Sequence, residues 1–280
     1  MISKLLPVFS NYTRSLEILY LLEDVKDAVR LDANDPELSK IKNFCADENL
    51  FLEVSDFKLV KVADKGKGSY SNVVRKVPLD FEGDALYHLY VSKDGNKARF
   101  LKMVEEKNDD RAVGELLGYP KCCVDFFIGN KERQQKLQND YILPALSNSE
   151  GFKFPYLANY ALRYFDIALL SHFPHSFNCE ESIKIAEKNL KIIEKHDEKL
   201  AEKFVDELKA AVLYTEHDGI FAFNSYKLND GILSFEKINS TVKNNLFERL
   251  KNAKKLEIID KNRVKIDEEI LEDVGFMIFT

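Results

Sequence analysis

The chain has 280 residues, enough for one large domain or two ordinary ones, and its 45% hydrophobic and 31% charged residues are typical of a globular protein with a core. Lys and Arg number 41 against 47 Asp and Glu, and the net charge of −6 gives no support to non-specific nucleic-acid binding. Four cysteines are too few for a disulfide framework, and no apolar run approaches the roughly 20 residues of a membrane-spanning helix, so we expect a cytoplasmic protein with reduced thiols.

The first part of the chain mixes helical and strand-like patterns. Apolar residues at helical spacing over 13–31 predict a helix. Asp35, followed by Pro36, predicts the N-cap of a second, shorter helix. Alternating apolar residues over 51–62 predict a strand, and residues 73–78 are a further candidate strand.

A polar loop and a turn dipeptide follow. Gly66-Lys67-Gly68-Ser69 lacks the spacing of a phosphate-binding loop, and a plain solvated loop is the favoured interpretation. The segments 85–92 and 97–104 flank Asp94-Gly95, a dipeptide favoured in tight turns. This arrangement predicts a β-hairpin.

The middle of the chain is helical in pattern. Gly118 is a natural residue to follow a helix C-terminus, and Pro120 suits the first turn of the next helix. The apolar segment 154–170 predicts a buried helix. A long helical pattern covers 180–213, and the polar stretch 195–199 is a candidate break into two helices.

The last third returns to strands. Two hairpins and a closing strand are predicted: 220–227 with 232–238, 255–259 with 264–266, and 275–279. Antiparallel hairpins that flank a central group of helices predict an α+β fold. We divide the chain into an N-terminal α+β region, 1–108, and a helical Cys/His-containing region followed by hairpins, 109–280, which can form one compact unit.

Two short segments concentrate the residues that ligate soft metals. Three of the four cysteines and two of the five histidines lie in 118–123 and 172–179. Both segments resemble helix starts: Pro120 places Cys122 and Cys123 in a first turn, and Asn178 is a candidate N-cap. Free backbone N–H groups and the helix dipole at such starts favour a thiolate.

The candidate metal ligands are Cys122, Cys123, His172, His175 and Cys179. Four of them satisfy tetrahedral zinc as a Cys2His2 or Cys3His set, and three thiolates with a histidine suit an iron–sulfur cluster, so the choice between zinc and iron–sulfur stays open. Adjacent cysteines are awkward ligands for one ion if their side chains diverge. Reactive thiols without metal and inert buried cysteines are the alternatives.

A second group of candidates lies before a predicted hairpin strand. His217 and Asp218 have side chains of the acid–base type and are candidate proton carriers for a catalytic metal. A plain turn is the default interpretation of this position. The sequence does not show whether these residues approach the Cys/His segments.

The string from Leu117 to Phe127, LGYPKCCVDFF, resembles the signature of a prokaryotic, largely archaeal family known as domain of unknown function 483. The spacing of His172, Pro174, Ser176 and Cys179 looks like the second block of that family. Relatives often carry Cys at the position of His175, which implies that a metal-ligand type is kept there. The resemblance implies a site and carries no activity.

Three functions are therefore open. The first is a metal-dependent enzyme or a metal-dependent ligand-binding protein, and the second is a structural metal knot in a protein-interaction module. The third is a thiol redox protein in which Cys122 or Cys123 forms a transient disulfide with Cys179. The expected partner is an unidentified small molecule or protein, and neither nucleic acid nor a membrane is expected as a partner.

Overall fold

The computed structural model describes residues 1–61, 74–137 and 140–280. Within these ranges the fold is α+β, as the sequence predicts: mainly antiparallel sheets lie at both ends of the chain and helices are concentrated between them. None of the described helices has the length and apolar character that crossing a bilayer requires. The polar loop predicted at 66–69 lies outside the described residues.

The N-terminal part packs helices on one sheet. Its strands follow the order β1-β4-β2-β3, and every pairing is antiparallel. In chain order the elements are α1 (Ile2–Phe9), α2 (Tyr12–Leu22), β1 (Ala28–Ala33), α3 (Asp35–Asp47), β2 (Phe51–Lys61), β3 (Val74–Val77) and β4 (Leu86–Ser92). The strands predicted over 51–62 and 73–78 are thus confirmed within the described residues.

Three N-terminal predictions are wrong in part. The helix predicted over 13–31 ends at Leu22, because the apolar run that starts at Ala28 is a buried strand that pairs with β4. The Asp94-Gly95 dipeptide opens a helix and not a hairpin: the Asp94 carboxylate accepts the backbone N–H of Asn96, as an N-cap does. The cap of α3 is Asn34, one residue before the predicted Asp35.

The middle of the chain is mainly helical. Its elements are α4 (Gly95–Glu106), α5 (Asp110–Leu116), α6 (Lys121–Leu137), α7 (Ile142–Ser147), a short strand β5 (Lys153–Phe154), two 3₁₀ helices (Tyr156–Ala158 and Ala161–Phe165), α8 (Glu180–His196) and α9 (Glu198–Leu208). The predicted break in the long helical pattern is confirmed, because Asp197 ends α8 and caps α9.

The helix predicted over 154–170 is wrong, although the segment is largely buried as expected. Pro155 has no N–H to donate, and Asp166 has a left-handed φ of 61°, so the chain changes direction repeatedly. The Asn159 side chain donates to the Leu208 carbonyl, and the Tyr160 ring packs 4.7 Å from that of Phe173. Apolar character alone did not distinguish a helix from this irregular packing.

The C-terminal part contains two sheets, in the described orders β10-β7-β6-β14-β5 and β13-β12-β11-β9-β8. Its elements are β6 (Ala211–Tyr214), β7 (Ile220–Phe223), β8 (Tyr226–Asn229), β9 (Ile232–Phe235), β10 (Asn239–Ser240), α10 (Asn245–Ala253), β11 (Lys255–Asp260), β12 (Arg263–Ile266), β13 (Glu269–Leu271) and β14 (Gly275–Phe279). The two hairpins and the closing strand are confirmed. The first arm of the first hairpin is shorter than predicted, since 220–223 and 226–229 are separate strands.

The largest hydrophobic cluster joins residues from both ends and the middle of the chain. It includes Leu19, Leu89, Phe126, Phe177 and Met277, all buried. Phe126 belongs to α6, and Phe177 lies two residues before Cys179, so both Cys/His segments are fixed to this common core. Burial of apolar area of this kind is the main stabilising term of the fold.

Candidate metal centre

The turn between α5 and α6 places the vicinal cysteines. Gly118 has a left-handed φ of 75°, which reverses the chain after α5 without the steric cost that a side chain would add. The Pro120 carbonyl then accepts the backbone N–H groups of Cys123 and Val124, and α6 begins at Lys121. Cys122 and Cys123 therefore lie in the first turn, as the sequence predicts.

The start of α8 places the third cysteine, one position away from the prediction. Cys179 itself is the N-cap residue, and its carbonyl accepts the backbone N–H of Ile183. The predicted cap, Asn178, instead accepts the backbone N–H of Glu150. The hydroxyl of Ser182, three residues into the helix, lies 3.3 Å from the Cys179 sulfur.

Hydrogen bonds from the segment just after α7 hold the loop that carries His175. The side-chain amide of Asn148 donates to the His175 carbonyl, and the Ser149 hydroxyl accepts the Phe177 N–H at 2.8 Å. The His175 N–H points to the Cys123 sulfur at 3.3 Å. The loop conformation is thus fixed on one side by the side chains of Asn148 and Ser149 and on the other by the Cys123 sulfur.

Four donor atoms converge at one point. The Cys123 sulfur lies 3.7 Å from that of Cys179, and the Cys122 sulfur lies 3.9 Å from each of the other two. The His175 Nδ1 is 3.6 Å from the Cys123 sulfur, and all four ligand atoms lie within 4.8 Å of one another. The vicinal sulfurs do not diverge, contrary to the concern raised by their adjacency. A group of this composition can hold a metal ion.

The four residues differ in exposure. Cys123 is 2% and Cys179 is 4% exposed, whereas Cys122 is the most exposed of the four and His175 is half-buried. All four cysteines of the chain are free thiols in this structure. The group therefore has a buried side, formed by Cys123 and Cys179, and an accessible edge at Cys122.

The three thiols of the group differ in pKa. Contact with the Cys179 sulfur and burial raise the pKa of Cys123, while burial and the Cys179 charge raise the pKa of Cys122. Hydrogen bonds from Cys123 and Ser182 hold the pKa of Cys179 well below its ordinary value. The protein alone thus favours one thiolate, at Cys179, and three thiolates around one point require a bound cation.

His172 lies behind the group and not within it. Its Nε2 is 2.9 Å from the Ser182 hydroxyl, and its ring packs 5.1 Å from the ring of Tyr119. Burial, together with the charge of Lys26, lowers the pKa of His172 to about 3, so the imidazole is neutral at pH 7.

Sequence reasoning missed Ser182. Its side chain is fully buried and contacts Cys123, Cys179 and His172. The available signal was its position three residues after Cys179, since residues at this spacing lie on the same face of a helix.

His217 and Asp218 lie in the turn between β6 and β7. They line a depression of about 310 Å³ together with residues 270–274. Among the described residues, the close-set Cys/His group does not include them. Their proposed role as proton carriers stays a prediction.

One comparison with known proteins supports the family resemblance. Residues 98–209 match the family model described as Protein of unknown function (DUF483). Over this segment the chain is similar to the DUF483 family. The segment runs from within α4 to just past the end of α9 and carries all four members of the Cys/His group. Comparisons with curated proteins and with solved structures gave no significant match.

Proposed function

We propose that the DUF483 segment binds one zinc ion through Cys122, Cys123, His175 and Cys179, and that this ion is structural. The ion would tie the first turn of α6 to the start of α8 and to the loop that precedes it. The observation that carries the proposal is the convergence of four soft donor atoms from three places in the chain, all within 4.8 Å of one another.

The distances support a single tetrahedral ion. Two sulfurs that each lie about 2.3 Å from a tetrahedral zinc are about 3.8 Å apart, and a sulfur and an imidazole nitrogen are about 3.6 Å apart. The three sulfur–sulfur distances here are 3.7, 3.9 and 3.9 Å, and the Cys123 sulfur lies 3.6 Å from the His175 nitrogen. These four distances are thus close to those between two ligands of one zinc ion.

The same distances favour zinc over a cubane iron–sulfur cluster. In a four-iron cluster each cysteine ligates a different iron, so the ligand sulfurs stand farther apart than two ligands of one ion. Here all three sulfurs are near neighbours. Three thiolates and an imidazole also form one of the common structural zinc sets.

The closed ligand set favours a structural role over a catalytic one. Four protein ligands fill a tetrahedral zinc, whereas a catalytic zinc keeps one position for water or substrate. The depression at His217 and Asp218 and a second groove between α8 and α9 are lined by residues outside the Cys/His group. We therefore infer a structural zinc ion that cross-links the central helices and stabilises them.

Anaerobic purification followed by metal analysis and a visible spectrum tests the proposal. We expect colourless protein with one zinc per chain. Brown protein with iron and acid-labile sulfide contradicts the choice of metal, and metal-free folded protein contradicts the site.

Cys179→Ala separates a structural from a catalytic site. We expect this variant to lose both the zinc and thermal stability. Cys45→Ala is the matched control, because Cys45 is a buried cysteine outside the group, and it should keep a full zinc content. A Cys179→Ala variant that loses zinc but melts with the wild type contradicts the structural role.

A further inference from the structure

We propose that Cys122 is the reactive sulfur of this centre and that soft alkylating electrophiles modify it first, while Ser182 and His172 protect the other two sulfurs. The inference rests on the zinc site proposed above. It assigns Cys122 as a modification site within that centre. The reagents expected to modify a thiolate there are carbon electrophiles with a good leaving group.

The sulfurs receive different hydrogen-bond donors. The Cys123 sulfur faces the His175 N–H and the Ser182 hydroxyl, both at 3.3 Å, and the Cys179 sulfur faces the same hydroxyl at 3.3 Å. Among the residues the structure describes, Cys122 contacts the two neighbouring sulfurs and the backbone N–H of Cys123. Within the described ranges, neither a hydroxyl nor a nitrogen donor from another segment reaches the Cys122 sulfur.

His172 sets the direction of the Ser182 hydroxyl. The neutral imidazole 2.9 Å away donates or accepts at Nε2, and a serine hydroxyl has one proton to give. With Nε2–H donating to the Ser182 oxygen, the hydroxyl proton is free to point at a thiolate. A hydrogen bond to a thiolate stabilises its charge and must be weakened before the sulfur attacks, so such second-shell contacts lower its reactivity.

Solvent exposure of the three cysteines also distinguishes Cys122 from the other two. Cys123 and Cys179 are at most 4% exposed, whereas Cys122 is accessible from solvent. In the reaction with iodoacetamide, a sulfur lone pair forms the carbon–sulfur bond as the carbon–iodine bond breaks, and iodide leaves with the electron pair. The thioether product is neutral and a poorer zinc ligand than a thiolate, so modification of Cys122 weakens metal retention.

Differential alkylation of the full chain tests the assignment. The zinc content is measured first, which separates failure of the zinc site from failure of this inference. The zinc-loaded protein is then treated with limiting iodoacetamide, unfolded, and labelled with an isotopic analogue, and fragmentation spectra distinguish Cys122 from Cys123. We expect modification of Cys122 to be at least about tenfold faster than that of Cys123 or Cys179.

A serine variant tests the protection. Ser182→Ala should speed modification of Cys179 or Cys123 several-fold and leave the rate at Cys122 within about twofold. Ser55→Ala, at a buried serine in the N-terminal sheet, is the matched control and should change none of the three rates. Zinc-loaded protein in which Cys123 or Cys179 reacts as fast as Cys122 overturns the proposal. The wild-type ranking keeps this test decisive if Ser182→Ala does not fold.

Discussion

Gly114 lies where α5 packs on α6, and this contact positions the first turn that carries the cysteines. A Cβ atom at Gly114 would lie 2.6 Å from Cγ2 and 3.2 Å from Cγ1 of Val124, which is buried and adjacent to Cys123. Overpacking of this kind costs about 1–3 kcal/mol. The gain in helix propensity from Gly to Ala is at most about 1 kcal/mol. With the full propensity gain subtracted, we expect Gly114→Ala to lower the free energy of unfolding by up to about 2 kcal/mol.

Gly129 is the matched control for this prediction. It lies within α6, and a Cβ atom there would meet no atom within 4 Å, so Gly129→Ala should raise the free energy of unfolding by up to about 1 kcal/mol. Urea unfolding followed by far-ultraviolet circular dichroism measures both. In a Val124→Ala background the cost of Gly114→Ala should shrink by about 1 kcal/mol. If Gly114→Ala stabilises the protein as much as Gly129→Ala does, the packing argument is wrong.

Three further predictions concern other parts of the chain. Burial opposes ionisation of Glu37, but hydrogen bonds from Arg14 and the Asn34 backbone lower the pKa of its carboxyl group to about 2. The ionised side chain therefore contributes about 1 kcal/mol of stability above pH 4.5, and this contribution is lost as the pH falls toward 2. Glu37→Gln should make stability less dependent on pH between these two values. Asp140→Asn should lower the urea midpoint by the equivalent of about 2 kcal/mol, because the buried carboxylate accepts the Tyr214 hydroxyl. Burial raises the pKa of Cys45 to about 12, so mass spectrometry should find this thiol alkylated only after unfolding.

The sequence predicted elements whose signals are local and specific. The Asp230-Gly231 turn has left-handed φ values of 48° and 78°, as a tight hairpin between β8 and β9 requires. The polar stretch around Asp197 marked a true helix boundary, because Asp197 caps α9 through its side chain. These signals depend on residues within a few positions of one another.

Wrong predictions arose where local signals have two interpretations. An Asp-Gly pair can form a hairpin turn, or it can supply the N-cap and the first residue of a helix. At Asp94-Gly95 the second arrangement occurs, and the following residues form α4. The run from Ala28 fits a helix or a buried strand equally well, and pairing with β4, about 60 residues away in sequence, decides between them. Such long-range pairing is not visible in one short segment.

For the candidate site, too, local signals predicted one part and long-range packing decided the rest. Helix-start chemistry at Pro120 and the clustering of Cys and His predicted that two distant segments supply one group of donors. Which histidine joins the group depends on the loop path: His175 faces Cys123, whereas His172 turns toward Ser182. Spacing permitted both histidines, and only the packing of the loop against α7 and α8 distinguishes them.

X-ray absorption at the zinc edge of the purified protein is the decisive measurement of the proposed site. A Cys3His zinc site predicts one zinc per chain with three sulfur neighbours at about 2.3 Å and one nitrogen at about 2.0–2.1 Å. A first shell with oxygen ligands or fewer than three sulfurs, or a protein that holds iron with sulfide in place of zinc, contradicts it.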